Sequence, residues 1–534
     1  MRLIKIIAYL IPIVLFVGEA SSDNPVEEWI VYYSGLMGFS CDVPISIALD
    51  KDGNIYIAGK SNHGSNQDFT IIKYDTSGTE EWVAIYDGSG FDYPYSTILD
   101  SDGNVSITGM SEGSDSGWDY ATVKYNSEGL EQWVARYQGV DDNWDISNSI
   151  TSDENGNIYV TGESDRYPYS GGDTDYDYCT IKYNSSGEEQ WVRLYDTGQE
   201  TDDLGKSIFV GEDGNVYVTG GSYIDAVHHF NFTTIKYDST GSVQWTADYD
   251  SKGNGLDIAY SIIGTADGYL YVGGTCSFNA GGDKDYAVVK YDDDGNEQWV
   301  AYWSASYSSF NSMVVDNSGN VYVICSTTAY LDIQKYSSEG NIEWAAAFDG
   351  HPLDICCDEA GDVYVTGSRY NGDNYDIVTS KYCSSDGIEQ WTVYFNGPDN
   401  LDDRGFALAL DDSGNIFVTG SSRSNASWDD FVTIKYSQTT GIEGIQEDLQ
   451  PSIYVYPSPA NTYVSIGIIA LSDSEVTLSI YGLDGRLVDT ILAGHLQEGE
   501  NTFKWQTSGI PEGIYLLRFQ ADSFESTTRV VVVH

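Results

Sequence analysis

The chain has 534 residues and contains 25 Lys and Arg against 82 Asp and Glu, which gives a formal net charge of −57. A chain this acidic offers no basic surface, and the composition therefore argues against nucleic acids and anionic membranes as partners. The carboxylates alternate with Tyr, Trp, Val and Ile. This alternation is typical of a folded acidic protein and not of a disordered acidic tail.

The N-terminus has the pattern of a secretory signal peptide. Arg2 and Lys5 precede an apolar run over 6–17, and small residues before and at Ala20 form a cleavage site. We therefore expect residues 1–20 to be removed and the mature chain to be exported. No other stretch reaches the ~20 apolar residues that span a bilayer, so we expect no transmembrane segment in the mature protein.

Three sequence markers recur eight times in a fixed order between residues 26 and 441. They are a Trp behind Glu or Gln, a Lys-Tyr pair, and a turn-and-strand phrase of which 52–59 (Asp-Gly-Asn-Ile-Tyr-Ile-Ala-Gly) is an example. An ordered repeat of this kind indicates an array of one supersecondary unit. The eight tryptophans are Trp29, Trp82, Trp133, Trp191, Trp245, Trp299, Trp344 and Trp391.

One unit, residues 145–195, divides into four short strands. The first contains Ile150 and ends near Asp153, and the others cover 157–162, 178–183 and 190–195. β-branched and aromatic residues alternate with polar ones in these segments, and short turns with Gly, Asn or Asp separate them, as in antiparallel hairpins. Four antiparallel strands repeated radially form the blade of a β-propeller.

The eighth unit lacks the Trp-containing strand that ends the other seven, because Ile445 stands four residues after its turn glycine, Gly441. A strand with this sequence stands alone before the first unit, at Glu28-Trp29. Pairing it with the last Lys-Tyr strand would close the ring and remove an exposed sheet edge. The sequence therefore predicts an all-β protein with an eight-bladed β-propeller over residues 26–441, closed by the N-terminal strand.

The repeat resembles a known family. Its phrase Ser-Ile-x-x-Asp-x-x-Gly-Asn-x-Tyr-Val-Thr-Gly, followed by Asp-[Phe/Tyr]-x-x-x-Lys-Tyr, is similar to the bacterial β-propeller repeat family, which is usually described as seven-bladed. The eight units of this chain depart from that number. The resemblance implies an exported propeller and says little about its function, because one fold serves many functions.

A different pattern follows the repeats. Residues 442–452 form a polar linker, and 453–534 contain about seven short strands in the arrangement of a small Ig-like β-sandwich. The order Pro-x-Pro-Ala-Asn (457–461), Ile-Tyr-x-x-x-Gly-Arg-x-Val (480–488), Gly-Ile-Tyr-Leu-Leu, then a basic residue and a final apolar strand is similar to type IX secretion (type A) sorting domains. In that family Asn is common where Ser458 stands here.

This second resemblance implies that outer-membrane secretion machinery recognises residues 453–534 and delivers the protein to the outer cell surface. The alternative is an ordinary adhesion-type sandwich domain.

Two carboxylates recur in most units. One stands eight residues before the position that ends the first strand, and the other five residues before the Lys of the Lys-Tyr pair. Both positions are expected at one edge of the antiparallel blade, so the two sets should crowd one face. They are candidate ligands for Ca²⁺, which takes about six to eight oxygen ligands; alternatively, each Asp accepts backbone N–H bonds and fixes its loop. The twelve residues are Asp42, Asp92, Asp145, Asp203, Asp257, Asp403, Asp68, Asp119, Asp177, Asp285, Asp376 and Asp430.

No catalytic constellation is recognised in the sequence, which has no nucleophile elbow, P-loop or His-Glu-x-x-His motif. We therefore expect no enzyme. Residues 236–245 resemble the docking repeat of eight-bladed quinoprotein dehydrogenases, and some members of that family carry a vicinal cysteine pair near the quinone. Cys356 and Cys357 are vicinal, but they fall on a predicted strand, where a ring disulfide would break the pleat. The seven cysteines are too few and too irregularly spaced for a disulfide framework, and their odd count leaves at least one unpaired within a monomer.

The sequence favours an exported cell-surface propeller that acts as a binding or scaffold module for an unknown protein or glycan ligand. A carbohydrate- or polymer-binding surface protein is the alternative, because aromatic rings in loops can stack on sugars. The aromatic residues expected in loops of the Asp-rich face are Tyr93, Trp118, Trp144, Tyr167, Tyr169 and Trp428. A quinoprotein-like dehydrogenase is the third hypothesis.

Overall fold

A computed structural model describes most of the chain. The predicted signal peptide, residues 442–451 of the predicted linker, Tyr167 and Tyr169 lie outside the described residues. The described ranges are 24–35, 41–64, 66–113, 117–139, 144–165, 175–198, 201–225, 229–251, 255–277, 285–303, 309–326, 332–425, 428–438, 452–456, 463–470, 474–482, 486–496, 499–511, 513–521 and 524–532.

Every regular element in these ranges is a β-strand. None of the described segments forms a helix long and apolar enough to span a membrane. The strands of the repeats are β1 (Val26–Tyr33), β2 (Val43–Leu49), β3 (Ile55–Asn62), β4 (Gln67–Tyr74), β5 (Glu80–Tyr86), β6 (Asp92–Leu99), β7 (Val105–Glu112), β8 (Trp118–Tyr125), β9 (Glu131–Tyr137), β10 (Asp145–Ser152), β11 (Ile158–Asp165), β12 (Tyr176–Tyr183), β13 (Glu189–Tyr195), β14 (Asp203–Val210), β15 (Val216–Asp225), β16 (His229–Tyr237), β17 (Val243–Tyr249), β18 (Ile258–Gly264), β19 (Leu270–Cys276), β20 (Asp285–Tyr291), β21 (Glu297–Trp303), β22 (Ser309–Val315), β23 (Val321–Ser326), β24 (Ile333–Tyr336), β25 (Ile342–Ala346), β26 (His351–Cys357), β27 (Val363–Tyr370), β28 (Tyr375–Tyr382), β29 (Glu389–Phe395), β30 (Asp403–Leu410), β31 (Ile416–Arg423) and β32 (Asp429–Ser437).

The repeats form eight four-stranded antiparallel sheets. Strands β2 to β29 make seven sheets of four consecutive strands, and the eighth sheet has the order β1-β32-β31-β30. In the eighth sheet Trp29 lies opposite Lys435 and Tyr33 lies opposite Phe431. The pairing predicted for the N-terminal strand is therefore present, and the first strand of the chain completes the last sheet.

The repeated Trp lies where neighbouring sheets touch. The Trp133 indole Nε1–H donates to the Ser185 carbonyl of the next unit at 3.2 Å, and a Cβ on Gly187 would lie 2.6 Å from the same indole. Gly187 also has φ +80°, a conformation that favours glycine. The same indole bond joins Trp29 to Thr76, Trp82 to Ser127, Trp191 to Ser239, Trp245 to Asp293, Trp299 to Ser338 and Trp344 to Ser384.

These bonds also connect the last sheet to the first. Trp29 belongs to the eighth sheet, and its acceptor Thr76 belongs to the turn of the first. One buried apolar cluster contains Ile57 and Ile72 of the first sheet together with Phe417 and Phe431 of the eighth. Seven pairs of neighbouring sheets are thus joined by an indole hydrogen bond, including the pair formed by the two ends of the repeats.

The tryptophan contact between sheets leads to a stability prediction. Trp191→Ala removes a side chain that is 8 % exposed and leaves a cavity, so the free energy of unfolding should fall by about 3–5 kcal/mol. Trp428→Ala is the control, because its side chain is 58 % exposed and exposed substitutions change stability by about 0.5 kcal/mol or less. Denaturant unfolding followed by tryptophan fluorescence and circular dichroism measures both. Equal stability of the two variants would contradict the assigned role of the repeated Trp.

The strands predicted for unit 145–195 are shorter than the observed ones at one edge of the sheet. Strand β10 already begins at Asp145, β11 continues to Asp165, and β12 begins at Tyr176. Asp has a low strand propensity, and its presence at these positions favours a loop. The backbones of these residues nevertheless pair in the sheet, because tertiary context overrides the propensity. The loop placement of Tyr93 and Trp118 is also wrong, since Tyr93 lies in β6 with Asp92 and Trp118 lies in β8 with Asp119.

The C-terminal residues form a separate unit, and the chain divides between Thr439 and Thr440. Its seven strands agree with the predicted number, and they form a three-stranded sheet β33-β34-β37 and a four-stranded sheet β36-β35-β38-β39. One buried cluster contains Ile466 and Trp505 of the first sheet and Leu478 and Leu517 of the second. The strands are β33 (Ser452–Tyr456), β34 (Tyr463–Ala470), β35 (Ser474–Gly482), β36 (Leu487–Leu496), β37 (Gly499–Gln506), β38 (Gly513–Ala521) and β39 (Phe524–Val532).

Candidate functional site

The predicted Asp residues lie in rows across the sheets. In the second sheet Asp92 of β6 is opposite Ser111 of β7, and Ser111 is opposite Asp119 of β8. Both Asp sets therefore share one edge of the sheet, as the sequence predicted, while the intervening serine was missed. Corresponding rows are Asp145–Ser164–Asp177, Asp203–Ser222–Asn231 and Asp403–Ser422–Asp430, and partial rows are Ser61–Asp68 and Cys276–Asp285.

The carboxylates of these rows are buried. Eleven of the twelve predicted residues are buried, and Asp430 is half-buried. The sequence pattern placed these carboxylates on one face and did not show that they are buried. Because burying an ionised group is costly unless it is paired, each of these residues needs a partner or a proton.

The first-strand Asp residues find their partners in the loop that enters their own sheet. The Gly88 backbone N–H donates to Asp92 Oδ2 at 2.7 Å. A Cβ at Gly88 would lie 2.2 Å from Ser111 Oγ, so the close approach requires glycine. The loop-fixing role, predicted as the alternative to Ca²⁺ binding, is thus present at all six positions. The other pairs are Gly35 with Asp42, Gly139 with Asp145, Thr197 with Asp203, Ser251 with Asp257 and Gly397 with Asp403.

Burial raises pKa values among the first-strand Asp residues. It raises the pKa of Asp92 to about 6, although the Ser111 hydroxyl and the Gly88 N–H lower it in part. Burial likewise raises the pKa values of Asp145, Asp203 and Asp403 to about 6. These carboxyls therefore lose their protons close to neutral pH.

The third-strand Asp residues differ in their hydrogen-bond and ion-pair partners. Asp119 Oδ2 lies 2.8 Å from Nη2 of Arg136, and Asp376 accepts two bonds from the Asn371 amide at 2.9 and 3.0 Å. Asp68 is fully buried, and neither of its oxygens accepts a hydrogen bond of ordinary geometry. Asp68 thus lacks the guanidinium or amide donor that Asp119 and Asp376 have.

The pKa of Asp68 reflects this position. Burial, followed by the charges of Asp87 and Asp92, raises it to about 7, and only the backbone of His63 lowers it. His63 itself supplies no positive charge at neutral pH, because burial lowers the pKa of its imidazole. Asp68 is therefore an acid that ionises near pH 7.

Two loop residues that the sequence analysis missed complete acidic clusters. Asp87 joins Asp68 and Asp92, and Asp196 joins Asp177 and Asp203; in each cluster one ligand oxygen per residue lies within 4.8 Å of the others. Asp87 and Asp196 are exposed and stand five residues after Trp82 and Trp191. This constant offset from the repeated Trp was the available sequence signal.

Aromatic side chains form a stack beside the first cluster. The rings of Phe91 and Tyr93 lie 6.2 Å apart and nearly parallel, at 4°, and Tyr93 stacks on Trp118 at 5.3 Å. Lys60 Nζ lies 5.0 Å from the centre of the Tyr93 ring. Phe91 is 42 % exposed, so part of the stack is open to solvent. Trp144 and Trp428 are exposed as well.

The cysteines provide no disulfide. All seven are free thiols, as expected from their number and spacing. Cys356 and Cys357 are consecutive residues of β26, paired with Tyr364 and Val363, which is the strand position expected from the sequence.

Family comparisons match both halves of the chain. Residues 41–65, 132–170 and 390–425 match the Beta-propeller repeat family, and residues 454–533 match the Secretion system C-terminal sorting domain. The chain carries β-propeller repeats and ends in a type IX secretion sorting domain. Both resemblances seen in the sequence are confirmed. The sorting domain marks the protein for export to the cell surface or the extracellular space, and it implies contact with the secretion machinery.

Solved structures are only weakly similar to the chain. The chain is similar to Sqt1 from Chaetomium thermophilum, with 11% identity, a TM-score of 0.48, and coverage of 78% of this chain and 100% of that one. It is also similar to quinohemoprotein alcohol dehydrogenase from Comamonas testosteroni, with 10% identity, a TM-score of 0.46, and coverage of 82% and 79%. No curated protein matches the chain. At these identities and scores no function is transferred.

Proposed function

We propose that this exported protein is an eight-bladed β-propeller that acts as a binding module at the cell surface. Eight four-stranded sheets, the pairing of β1 with β32 and the Trp29–Thr76 bond support a closed ring. The shared core of the two C-terminal sheets supports an Ig-like sandwich for the sorting domain. In this proposal the sorting domain delivers the chain, and the propeller carries the ligand-binding surface.

The observation that carries the binding role is the stack of Phe91, Tyr93 and Trp118. Partly exposed aromatic rings offer large apolar faces with a polar edge, a combination enriched at binding sites. Lys60 beside Tyr93 adds one donor for an acceptor group of the ligand. Because the whole chain carries a net charge of −57, the ligand should be neutral or cationic and not a polyanion.

A neutral carbohydrate or surface polymer is the second candidate ligand, and the same stack favours it, because sugar rings present apolar faces to aromatic rings. We propose no catalytic role. The quinoprotein-like hypothesis draws no support from Cys356 and Cys357, which are separate free thiols on adjacent positions of one strand.

Binding arrays of neutral glycans and of cell-surface proteins, probed with the full chain, test this proposal. Trp118→Ala should weaken a detected ligand about tenfold, since a lost aromatic stack is worth roughly 0.5–1.5 kcal/mol. Trp428→Ala removes an exposed Trp outside the stack and serves as the matched control. A ligand bound equally well by wild type and Trp118→Ala would exclude the stack as the site, and equal losses in both variants would point to a nonspecific aromatic effect.

A further inference from the structure

The cluster of Asp68, Asp87 and Asp92 joins two neighbouring sheets. Asp68 lies in β4, Asp87 follows β5, and Asp92 begins β6 of the next sheet. Their ligand oxygens lie within 4.8 Å of one another. Three carboxylates this close repel one another when ionised, so the folded chain must hold protons or a cation there.

The protein's own groups compensate this cluster incompletely. Arg136 lowers the pKa of Asp92, but its guanidinium is bonded to Asp119 Oδ2, Ser111 and Tyr86. Both oxygens of the fully buried Asp68 lack a hydrogen-bond donor of ordinary geometry. A buried carboxylate in this state is normally paired or bound to a metal.

The repeat supplies an internal comparison. The positions of Asp68, Asp87 and Asp92 are occupied by Asp177, Asp196 and Asp203 two units later, and these oxygens again lie within 4.8 Å. Oδ1 of Asp203 is buried and also accepts no hydrogen bond of ordinary geometry. At three other junctions one carboxylate is replaced, by Gln138, Asn231 and Asn396 respectively.

We propose that each of these two triads, Asp68–Asp87–Asp92 and Asp177–Asp196–Asp203, binds one divalent cation, Ca²⁺, between neighbouring sheets. Carboxylate oxygens suit a hard cation, and Ca²⁺ tolerates irregular geometry completed by water. The exposed Asp87 and Asp196 leave room for that water. Calcium modules outside the cell bind with dissociation constants on the order of 10⁻⁴–10⁻³ M, which suits an exported chain. The proposal is independent of the ligand-binding function.

Isothermal titration of the full chain with CaCl₂ at pH 8 tests the stoichiometry. The wild type should bind two Ca²⁺, Asp68→Asn and Asp177→Asn should each bind one, and the double variant none. Asp376→Asn is the matched control, because it changes the same repeat position at a junction where Asn396 replaces one carboxylate; it should bind two. Two bound Ca²⁺ in the double variant, or no saturable binding in the wild type, would overturn the proposal.

Thermal unfolding provides a readout that does not require tight binding. Millimolar Ca²⁺ should raise the melting temperature of the wild type more than NaCl at equal ionic strength. In the absence of Ca²⁺, Asp68→Asn should be at least as stable as the wild type at pH 8, because it removes an uncompensated buried charge. If CaCl₂ and NaCl raised the melting temperature of the wild type equally, the clusters would not bind Ca²⁺ specifically, and the proposal would be wrong.

The response to Ca²⁺ should depend on pH. The folded-state pKa of Asp68, about 7, exceeds the ordinary value of about 3.9, so without Ca²⁺ ionisation of Asp68 makes stability fall as pH rises from about 4 to about 7. Ca²⁺ binds the ionised form, and the gain in melting temperature should therefore be small at pH 5 and large at pH 8. A gain independent of pH would contradict binding at Asp68. The charged and titratable groups around Asp68 are Asp87, Asp92, Arg136 and His63, with Asp42 beside His63.

Discussion

Removal of β1 (Val26–Tyr33) should leave the repeats insoluble or largely unfolded. Without β1, the backbone of β32 becomes an exposed sheet edge, which promotes aggregation. Trp29, Val31 and Tyr33 also pack on the cluster that joins the eighth sheet to the first. These side chains are partly buried, so each loss should cost less than the about 2–5 kcal/mol of a fully buried side chain. Together with the exposed edge, the three losses are still large against the ~5–15 kcal/mol that stabilises a folded protein.

Solubility, light scattering and thermal unfolding of the truncated chain measure this effect. A synthetic peptide covering residues 24–35 should restore solubility by adding the missing strand, whereas a scrambled peptide of the same composition should not. A truncated chain that stays monomeric and melts at the wild-type temperature would contradict closure by β1.

The arrangement of strands could be predicted because it is encoded locally. Alternating residues and Gly-containing turns mark each strand, and Trp29 outside the first unit identifies the strand that completes the last sheet. The turn role of Asp50 was also predictable: its Oδ1 accepts the backbone N–H groups of Asp52 and Asn54 at 3.0 and 2.9 Å. Both of these donors lie within four residues of Asp50.

The state of the Asp-rich clusters could not be predicted in the same way. Asp50 and Asp92 are the same residue type in the same repeat, yet hydrogen bonds from Asn54 lower the pKa of Asp50, while burial raises that of Asp92. Asp92 meets Asp68 of the neighbouring sheet, whereas Asp119 contacts Arg136 of its own sheet. Spacing shows which residues recur, but it does not show which of them meet across two sheets.

Removal of residues 439–534 should abolish surface delivery and leave the repeats folded. The C-terminal unit has its own buried core around Trp505 and Leu517, and the chain divides between Thr439 and Thr440, so no core residue of the repeats is lost. The family match over 454–533 assigns the delivery signal to this unit. In a host with type IX machinery, the truncated chain should accumulate in the periplasm, with surface protein reduced more than about tenfold.

Protease accessibility on intact cells and fractionation measure where the chain resides, and unfolding of the purified truncated chain measures whether the repeats are intact. Two variants make the result specific. A folded reporter fused to residues 452–534 should reach the surface, whereas Asp376→Asn, a change within the repeats, should leave delivery unchanged. If the truncated chain reached the surface, or if the fused reporter stayed in the periplasm, recognition would not reside in the C-terminal unit. The repeats and the sorting unit each have their own core. A truncated chain that unfolds like the wild-type repeats but does not reach the surface would therefore show that the C-terminal unit is needed for export and not for folding of the repeats.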